Sequence, residues 1–367
     1  MGTELRVVMA GGGTGGHLYP GIAVARELLR RRPDAHITFA GTARGIESRV
    51  VPKEGFELDT IRSGGLKGKS TAERARGALL IPLGLLDAWR VVSRRRPHLV
   101  IGVGGYSSGP IVLTAALRNV PTMLLEQNAV PGLTNRLLSR VVRAAAVTYE
   151  STAAFFGAKA FVSGNPVRAE FVSARDAGTD VNEPVPASGA GILICGGSQG
   201  AHAINLAMVE AAPGLAHLGV ALRVVHQTGE RDVDMVRAGY AAAGLKAEVG
   251  PFLYDMGARF GKADLVVCRA GATTLAELTA AGKPSILIPL PTATDDHQRK
   301  NAEALASTGA AQMLLQSDAT GAALGGRIAA LVTDTRVRMR MSAAARAQAR
   351  PHAARVIVER ALELVKS

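Results

Sequence analysis

The chain has 367 residues, more than one hydrophobic core usually holds, which predicts two domains. Hydrophobic residues make up 47% and charged residues 20%, which excludes an intrinsically disordered chain. No stretch reaches the roughly 18 apolar residues of a membrane span. The net charge of +13 indicates either an anionic partner or a general bias towards arginine.

Short aliphatic runs alternate with helical patterns through the first half of the chain. The strand-like runs are residues 5–9, 36–40, 99–103, 122–125 and 144–147. Runs that are apolar on both faces are typical of parallel strands covered by helices. This alternation predicts a doubly wound α/β domain.

The same alternation resumes in the second half. Residues 175–191 are poor in large apolar side chains and read as a loop or linker. A basic helical stretch at 343–366, interrupted at Pro351, ends the chain. The second half therefore predicts another doubly wound domain, with strand-like runs at residues 191–195, 222–226, 247–249, 265–268, 285–289 and 312–315.

The two cysteines, Cys195 and Cys268, each end an apolar run. Free cysteine is among the most frequently buried residue types, so both are expected in the core. They predict no disulfide framework, which fits a reducing, cytosolic compartment. Residues 1–9 lack the long apolar core of a signal peptide.

Glycine-rich loops follow three of the strand-like runs, at residues 11–16, 102–109 and 196–200. Glycine lets backbone N–H groups approach an anion closely, and the N-terminus of a following helix adds a favourable dipole. Three such loops in a basic chain predict binding of a phosphate or diphosphate. The first and third each follow the first strand of their half, which resembles an internal duplication.

No loop matches a standard cofactor fingerprint. His36 and Thr38 stand where an NAD-binding domain carries its acidic ribose ligand, and a P-loop motif is absent. Histidines and cysteines with the spacing of metal ligands are also absent. We therefore expect neither a cofactor nor a metal, and we interpret Asp295 and Asp296 as solvated loop residues.

Two titratable residues stand where strands end. His17 closes the first glycine loop, where an imidazole can take a proton from a hydroxyl, contact a phosphate or cap the helix. Glu277 lies four residues after Thr273, on the same face of a predicted helix that starts after Gly271. A carboxylate there can accept hydrogen bonds from both hydroxyls of a ribose, while the helix N-terminus faces the phosphates.

Six motifs, in one order, span nearly the whole chain. They are GGGTGGHLYPGIAVA at 11–25, GVGGYSSGP at 102–110, EQNAVPGLTNR at 126–136, GNPVR at 164–168, GGSQGA at 196–201 and CRAGATTLAELTAAGKP at 268–284. Together they resemble the MurG family of glycosyltransferases. That family moves N-acetylglucosamine from UDP-GlcNAc to lipid I, which gives lipid II in peptidoglycan synthesis.

The resemblance implies an α/β architecture of the GT-B type, two Rossmann-like domains facing across a cleft. Residues 1–165 would form the acceptor domain, to which 346–367 return, and residues 166–345 would form the donor domain. The family's linker then falls near 164–168, and residues 175–191 become a loop inside the second domain. Members of this family invert the configuration at the anomeric carbon of the transferred sugar and need no metal. They serve cell-wall formation, cell shape and cell division.

The resemblance also implies site residues. In the family's pattern Glu277 binds the ribose, Gln298 the sugar and Leu253 lies near the uracil, whereas His297 departs from the glutamine of some members. The full set of implied UDP-GlcNAc contacts is Thr14, Gly15, Gly16, Asn128, Arg168, Ser198, Leu253, Ala272, Thr273, Thr274, Leu275, Ala276, Glu277 and Gln298. His17 is the candidate base, and the acceptor diphosphate is expected at Gly13, Gly104, Gly105, Tyr106 and Ser107.

A lipid-anchored acceptor implies a membrane-facing surface. Residues 78–86 are apolar and precede Trp89 and the arginines 94–96, a pattern typical of a segment lying in one leaflet or of a core helix with a basic end. We expect peripheral binding to the cytoplasmic face of an anionic membrane. Other proteins of cell-wall synthesis are further candidate partners.

Two other enzyme functions fit the same architecture: a UDP-GlcNAc 2-epimerase, and another lipid or antibiotic glycosyltransferase. The apolar and basic segment at 78–96 favours the lipid-linked transferase. A nucleic-acid-binding module is supported only by net charge, since base-stacking aromatics and known binding motifs are absent. We therefore expect no nucleic-acid partner.

Overall fold

A computed structural model of the chain describes residues 4–64, 71–173, 189–197 and 200–366. For residues 71–79, 169 and 173 it describes only the backbone. The chain divides into two compact units. Unit 1 comprises Met1–Arg168 with Arg350–Ser367, and unit 2 comprises Ala169–Ala349. The prediction from the sequence placed this boundary between residues 165 and 166, and it placed the start of the segment that returns to the first domain at residue 346.

Unit 1 holds a parallel sheet, with seven strands among its described residues in the order β3-β2-β1-β4-β5-β6-β7. The strands are β1 Arg6–Gly11, β2 His36–Gly41, β3 Glu57–Thr60, β4 Leu99–Gly104, β5 Thr122–Glu126, β6 Ala144–Val147 and β7 Ala160–Val162.

Helices cover both faces of this sheet. Val7 and Met9 of β1 join the core cluster that includes the first and last helices of the chain, whereas Val8 joins the cluster on the opposite face. Ile357 belongs to the first cluster, so the C-terminal helix is part of unit 1. The helices are α1 Gly15–Arg31, α2 Glu47–Lys53, α3 Thr71–Arg95, α4 Ser108–Leu117, α5 Leu133–Leu138, α6 Glu150–Phe156 and α15 Ala353–Lys366.

Unit 2 repeats the plan with six described parallel strands in the order β10-β9-β8-β11-β12-β13. They are β8 Ala190–Cys195, β9 Leu222–Gln227, β10 Ala247–Gly250, β11 Leu265–Cys268, β12 Ser285–Leu287 and β13 Ala311–Met313. Its helices are α7 Ala169–Ser173, α8 His202–Ala216, α9 Val233–Ala242, α10 Met256–Lys262, α11 Ala272–Ala281, α12 His297–Ala306, α13 Gly321–Thr333 and α14 Thr335–Gln348.

Each strand-like run of the sequence overlaps a strand of the structure, so the doubly wound prediction is confirmed in both units. The sequence missed β3 and β7, which form the two edges of the first sheet. β3 has the mixed sequence ELDT, and β7 is apolar but only three residues long and partly buried. Most of the loop predicted at 175–191 lies outside the described residues.

Cys195 and Cys268 are buried free thiols, as predicted. Among the described residues no helix is both long and apolar enough to cross a membrane.

Candidate functional site

The first two glycine loops touch each other at the carboxyl ends of β1 and β4. Gly11 has φ +140°, and a Cβ there would lie 2.3 Å from the carbonyl oxygen of Gly104. Gly105 has φ +80°, and its Cβ would lie 2.4 Å from the carbonyl oxygen of Gly12. At these short distances no side chain could be accommodated. The glycines therefore allow the two loops to pack closely, in addition to leaving the backbone open to a ligand.

A buried carboxylate holds the first glycine loop in place through a hydrogen bond to its backbone. Glu47, at the start of α2, accepts hydrogen bonds of 2.8 Å from the backbone N–H of Gly13, the backbone N–H of Thr42 and the Thr42 hydroxyl. Because the Gly13 amide already donates to Glu47, a diphosphate at this loop has to be met by other amides. No sequence motif marks Glu47, which lies 34 residues from its partner Gly13.

His17 lies in the first turn of α1, whose N-terminus follows the loop. The carbonyl of Thr14 accepts from the His17 N–H at 3.2 Å and from the Leu18 N–H at 3.1 Å, so this turn is regular from its start. The His17 ring Nδ1 lies 3.1 Å from Oε1 of Gln127. A Cβ at Gly104 would lie 2.6 Å from the same Nδ1, so the ring packs directly on the second loop.

The second loop carries the other predicted acceptor residues. Tyr106 is exposed and its ring lies 3.5 Å from the Cβ position of Gly13. Ser107 is buried, so of these two side chains only Tyr106 is open to a ligand. The structure therefore brings His17, Gly104 and the other predicted acceptor residues into one corner of unit 1.

Asn128 and Arg168 lie at the same end of unit 1. The carboxylate of Glu126 accepts from the Asn128 N–H at 3.0 Å, the Gly132 N–H at 2.9 Å and Nδ2 of Asn135 at 2.9 Å, which fixes the loop after β5. The Arg168 guanidinium carbon lies 5.2 Å from the centre of the Tyr19 ring, within cation–π range.

In unit 2 the third glycine loop follows β8. Gly200 has φ +75° and packs directly against the Thr228 carbonyl, where no Cβ could be placed. The predicted donor residue Ser198 lies outside the described residues. Because β11 pairs with β8, the loop after β11 opens at the same sheet edge, and α11 begins there with Gly271 as its N-cap.

Gln227 joins two parts of this edge that the sequence had treated separately. The Gln227 side chain is buried, and its Nε2 donates to the Gly197 carbonyl at 2.8 Å. Its Oε1 accepts from the Leu253 N–H at 3.0 Å. One carboxamide thus links the third glycine loop to the segment in which Leu253 was predicted to meet the uracil. The sequence reasoning missed Gln227, which it had seen only as the residue after a strand-like run.

On α11 the side chains of Thr273 and Glu277 lie one turn apart on one face, as predicted. Glu277 is only 8% exposed. The described first turn of α11 carries no acidic residue, so the positive end of its dipole is not offset there. This combination of a helix N-terminus and a nearly buried carboxylate suits a ligand with phosphates at one end and hydroxyls at the other.

The loop between β12 and α12 is held by polar side chains. Oε1 of Gln298 accepts from the Leu290 N–H at 3.0 Å. Asp295 and Asp296 both adopt positive φ values, +55° and +54°, and Asp296 pairs with Arg299. Across the described ranges, no three His, Cys, Asp or Glu side chains cluster as metal ligands would.

Comparisons with known proteins cover both units. The N-terminal domain of glycosyltransferase family 28 matches residues 7–147, and the C-terminal domain of the same family matches residues 191–357. Together the two matches span most of the chain.

A relative from Anaeromyxobacter sp. (strain K) is 47% identical over 99% of this chain and 94% of its own length. It is named UDP-N-acetylglucosamine--N-acetylmuramyl-(pentapeptide) pyrophosphoryl-undecaprenol N-acetylglucosamine transferase. The crystal structure of MurG from Acinetobacter baumannii is 32% identical, covers 98% of this chain and 99% of that chain, and superposes with a TM-score of 0.79. A putative UDP-N-acetylglucosamine 2-epimerase from Listeria monocytogenes has a TM-score of 0.68 over 100% and 97% of the chains, but at 14% identity it shows the fold alone.

Proposed function

The chain belongs to the MurG family within glycosyltransferase family 28. We propose which of its residues bind the donor, which bind the acceptor and which removes the proton in the reaction of this family. The protein is an N-acetylglucosaminyltransferase that moves GlcNAc from UDP-GlcNAc to lipid I and so forms lipid II. The identity of 47% over 99% of the chain carries this conclusion. The epimerase alternative rests on the shared fold alone.

We assign the nucleotide end of the donor to unit 2. Glu277 accepts both ribose hydroxyls, Leu253 lies beside the uracil and Gln298 contacts the sugar. The N–H groups of Ala272, Thr273 and Thr274 face the diphosphate. The α11 dipole and these amides support the assignment because they would stabilise the negative charge that develops on departing UDP. Further predicted donor contacts are Thr14, Gly15, Gly16, Asn128, Arg168, Ser198, Leu275 and Ala276.

We assign the acceptor to the corner of unit 1 around His17. The 4-hydroxyl of the muramyl sugar attacks the anomeric carbon, the bond to UDP breaks on the opposite side, and the configuration inverts. His17 removes the hydroxyl proton or contacts the acceptor diphosphate. Tyr106 and the amides of Gly104 and Gly105 meet that diphosphate. The exposed Tyr106 beside two packed glycine loops supports this assignment.

A coupled assay separates the transferase from the epimerase. UDP release from UDP-GlcNAc is expected only when a lipid I analogue is present. Conversion of UDP-GlcNAc to its 2-epimer without any acceptor would contradict the assignment and support the alternative.

The bridge made by Gln227 leads to a prediction about the donor. The Gln227→Met variant keeps the side-chain volume but loses both hydrogen bonds, so the third glycine loop and the Leu253 segment are no longer held together. Each net hydrogen bond contributes about 1 kcal/mol. We expect UDP affinity to fall by roughly tenfold or more in calorimetric titration.

The matched control is Tyr240→Phe. It removes a buried 2.7 Å hydrogen bond to His226, the residue next to Gln227, whose side chain lies on the other face of β9. That variant should lose stability but keep its UDP affinity. Equal UDP affinity in folded Gln227→Met and wild type would show that the bridge does not serve the donor.

We further propose that one face of unit 1 docks on an anionic membrane. On α3 the side chains of Ile81, Leu83, Leu86 and Trp89 are exposed, Trp89 by 57%, whereas Ala88 and Val91 on the same helix are buried. The exposed Leu117 lies on α4, which packs against α3, and the exposed Leu137 lies on α5, which packs against α4. Exposed apolar residues on adjoining helices support a membrane-docking face more than a core helix.

Two of the three arginines expected to meet the membrane, Arg94 and Arg95, form ion pairs within the protein. Arg94 and Arg95 both pair with Asp59, which is buried, so their charge is already partly offset. Arg118 and Arg140 are exposed near α4 and α5 and are better placed for anionic headgroups. Each would add about 1 kcal/mol of binding.

We expect the protein to co-sediment with anionic vesicles at low salt and to be released by high salt. Replacing Leu83, Leu86 and Trp89 with serine should weaken binding at either salt concentration, because the apolar insertion is lost. Leu79 belongs to the apolar segment 78–86, but its side chain lies outside the described part of the structure, so it is left unchanged. The control is serine at the exposed Leu206 and Leu315 of unit 2. Equal sedimentation of the triple variant and wild type would place the docking surface elsewhere.

A further inference from the structure

The side chain of Gln127 connects the ring of His17 to the end of β4. Gln127 directly follows β5 and its side chain is 2% exposed. Its Nε2 donates to the carbonyl oxygen of Val103 on β4 at 2.9 Å. Its Oε1 lies 3.1 Å from Nδ1 of His17.

The Val103 carbonyl fixes the orientation of this amide. A carbonyl oxygen can only accept, so the NH2 group of Gln127 has to face Val103 and its oxygen has to face His17. An amide oxygen can only accept as well, so Nδ1 of His17 has to be the N–H donor. A neutral imidazole carries one N–H, which leaves the lone pair on Nε2.

Packing holds the ring in this position. Gly104, at φ +102°, lies so close to His17 that a Cβ there would be 2.6 Å from Nδ1 and 3.0 Å from Cε1. The Nδ1 edge of the ring therefore faces the ends of β4 and β5. A flip of the ring about the Cβ–Cγ bond would put Cδ2 in the place of Nδ1 and would break the contact with Gln127.

We propose that Gln127 is a positioning residue that sets the Nδ1–H tautomer of His17 and so makes Nε2 the proton acceptor of the reaction. The proposal deepens the role assigned to His17 above and rests on it. It also decides between the two roles left open there. Neutral His17 in this tautomer has no Nε2–H to give to a phosphate, whereas it can take a proton at Nε2.

The proton balance of the step follows directly. The acceptor hydroxyl loses its proton to Nε2 as its oxygen bonds to the anomeric carbon, and UDP leaves with the electron pair of the broken bond. His17 becomes an imidazolium, and its Nδ1–H donates a stronger, charge-assisted hydrogen bond to Gln127. A neutral amide stabilises the imidazolium less than a carboxylate would, so the proton can leave again.

The ionisable groups on the surrounding elements are Glu47 on α2, Glu126 at the end of β5, Tyr106 after β4, and Tyr19 on α1 with Arg168 over its ring. Glu47 accepts hydrogen bonds from the backbone N–H groups of Gly13 and Thr42, and Glu126 accepts one from the backbone N–H of Asn128. All five are unchanged in variants at position 127. A difference between such variants therefore reports on Gln127 itself.

The test is nitrogen-15 NMR of the histidine rings in the whole protein, with the His17 signals identified as those lost in His17→Ala. We expect wild-type His17 to be the Nδ1–H tautomer, and the Gln127→Met variant to show a mixture of tautomers. In Gln127→Glu the new carboxylate should raise the pKa of His17, because a negative charge beside Nδ1 favours the charged ring. His98 is the internal control, because its ring contacts Arg6 at the opposite ends of β1 and β4 and should not change.

An Nε2–H tautomer in wild type, or an unchanged tautomer in Gln127→Met, would overturn the proposal. Turnover provides the second readout: Gln127→Met should lower kcat by at least about tenfold with little change in the KM for UDP-GlcNAc. The two claims fail separately. Near-normal turnover of His17→Ala would refute the catalytic role of His17, whereas the NMR spectra test the influence of Gln127 on its tautomer whatever the turnover.

Discussion

Replacing His17 with alanine is expected to lower turnover by about 10²–10⁴, the usual contribution of a general base. The affinity for UDP should change little, because the ring lies in unit 1 against Gly104 and Gln127, and the nucleotide end of the donor is assigned to unit 2. Steady-state kinetics with a lipid I analogue and titration with UDP measure the two quantities. This is the largest effect that the proposed mechanism predicts for a single residue.

The control for this experiment is His36→Ala, which removes a partly exposed histidine of the same unit, paired with Glu57 at the start of β2. It should leave turnover unchanged. A folded His17→Ala variant with near-normal turnover would show that His17 is structural. Weaker binding of the acceptor at unchanged kcat would instead indicate a phosphate contact.

Replacing Glu277 with alanine is expected to weaken UDP binding by roughly ten- to a hundredfold. Hydrogen bonds to a charged group contribute about 1.5–3 kcal/mol, and every 1.4 kcal/mol is about tenfold in affinity. Because Glu277 is nearly buried in the middle of α11, its carboxylate is shielded from water that could replace the ribose hydroxyls. Calorimetric titration of the folded variant measures the loss.

A ligand without one hydroxyl sharpens this test. If Glu277 binds the ribose diol, 2′-deoxy-UDP should bind wild type more weakly than UDP, and the Glu277→Ala variant should distinguish the two ligands much less. Glu303→Ala is the matched control, since Glu303 lies on α12 and pairs with Arg299 and Lys300 at the surface. Unchanged UDP affinity in folded Glu277→Ala would rule out the assigned role.

The features that the sequence predicted correctly are those with a local signal. The inner strands are continuous apolar runs, and the glycine loops after β1, β4 and β8 stand beside them in the chain. The placement of Thr273 and Glu277 on one face of α11 follows from helical spacing alone. The edge strand β3 was missed because it is only partly buried and carries polar residues, and the edge strand β7 was missed because its apolar run is only three residues long.

The side chains that hold the site in place could not be predicted from local sequence patterns. Gln127 lies 110 residues from His17, and Gln227 lies 30 residues from Gly197. No local pattern marks a residue whose partners come from other strands. The pairing of Arg94 and Arg95 with Asp59 is of the same kind, and it changed which arginines are assigned to the membrane.

The most direct test of the whole account is transfer of labelled sugar. The protein is incubated with UDP-[14C]GlcNAc and a lipid I analogue, and the products are separated. We expect the label in a lipid-linked disaccharide, formed only with acceptor present and at a much lower rate in His17→Ala. Label that stays in UDP-sugar when both substrates are present, or that appears as the 2-epimer, would contradict the assignment of this chain as a lipid I N-acetylglucosaminyltransferase.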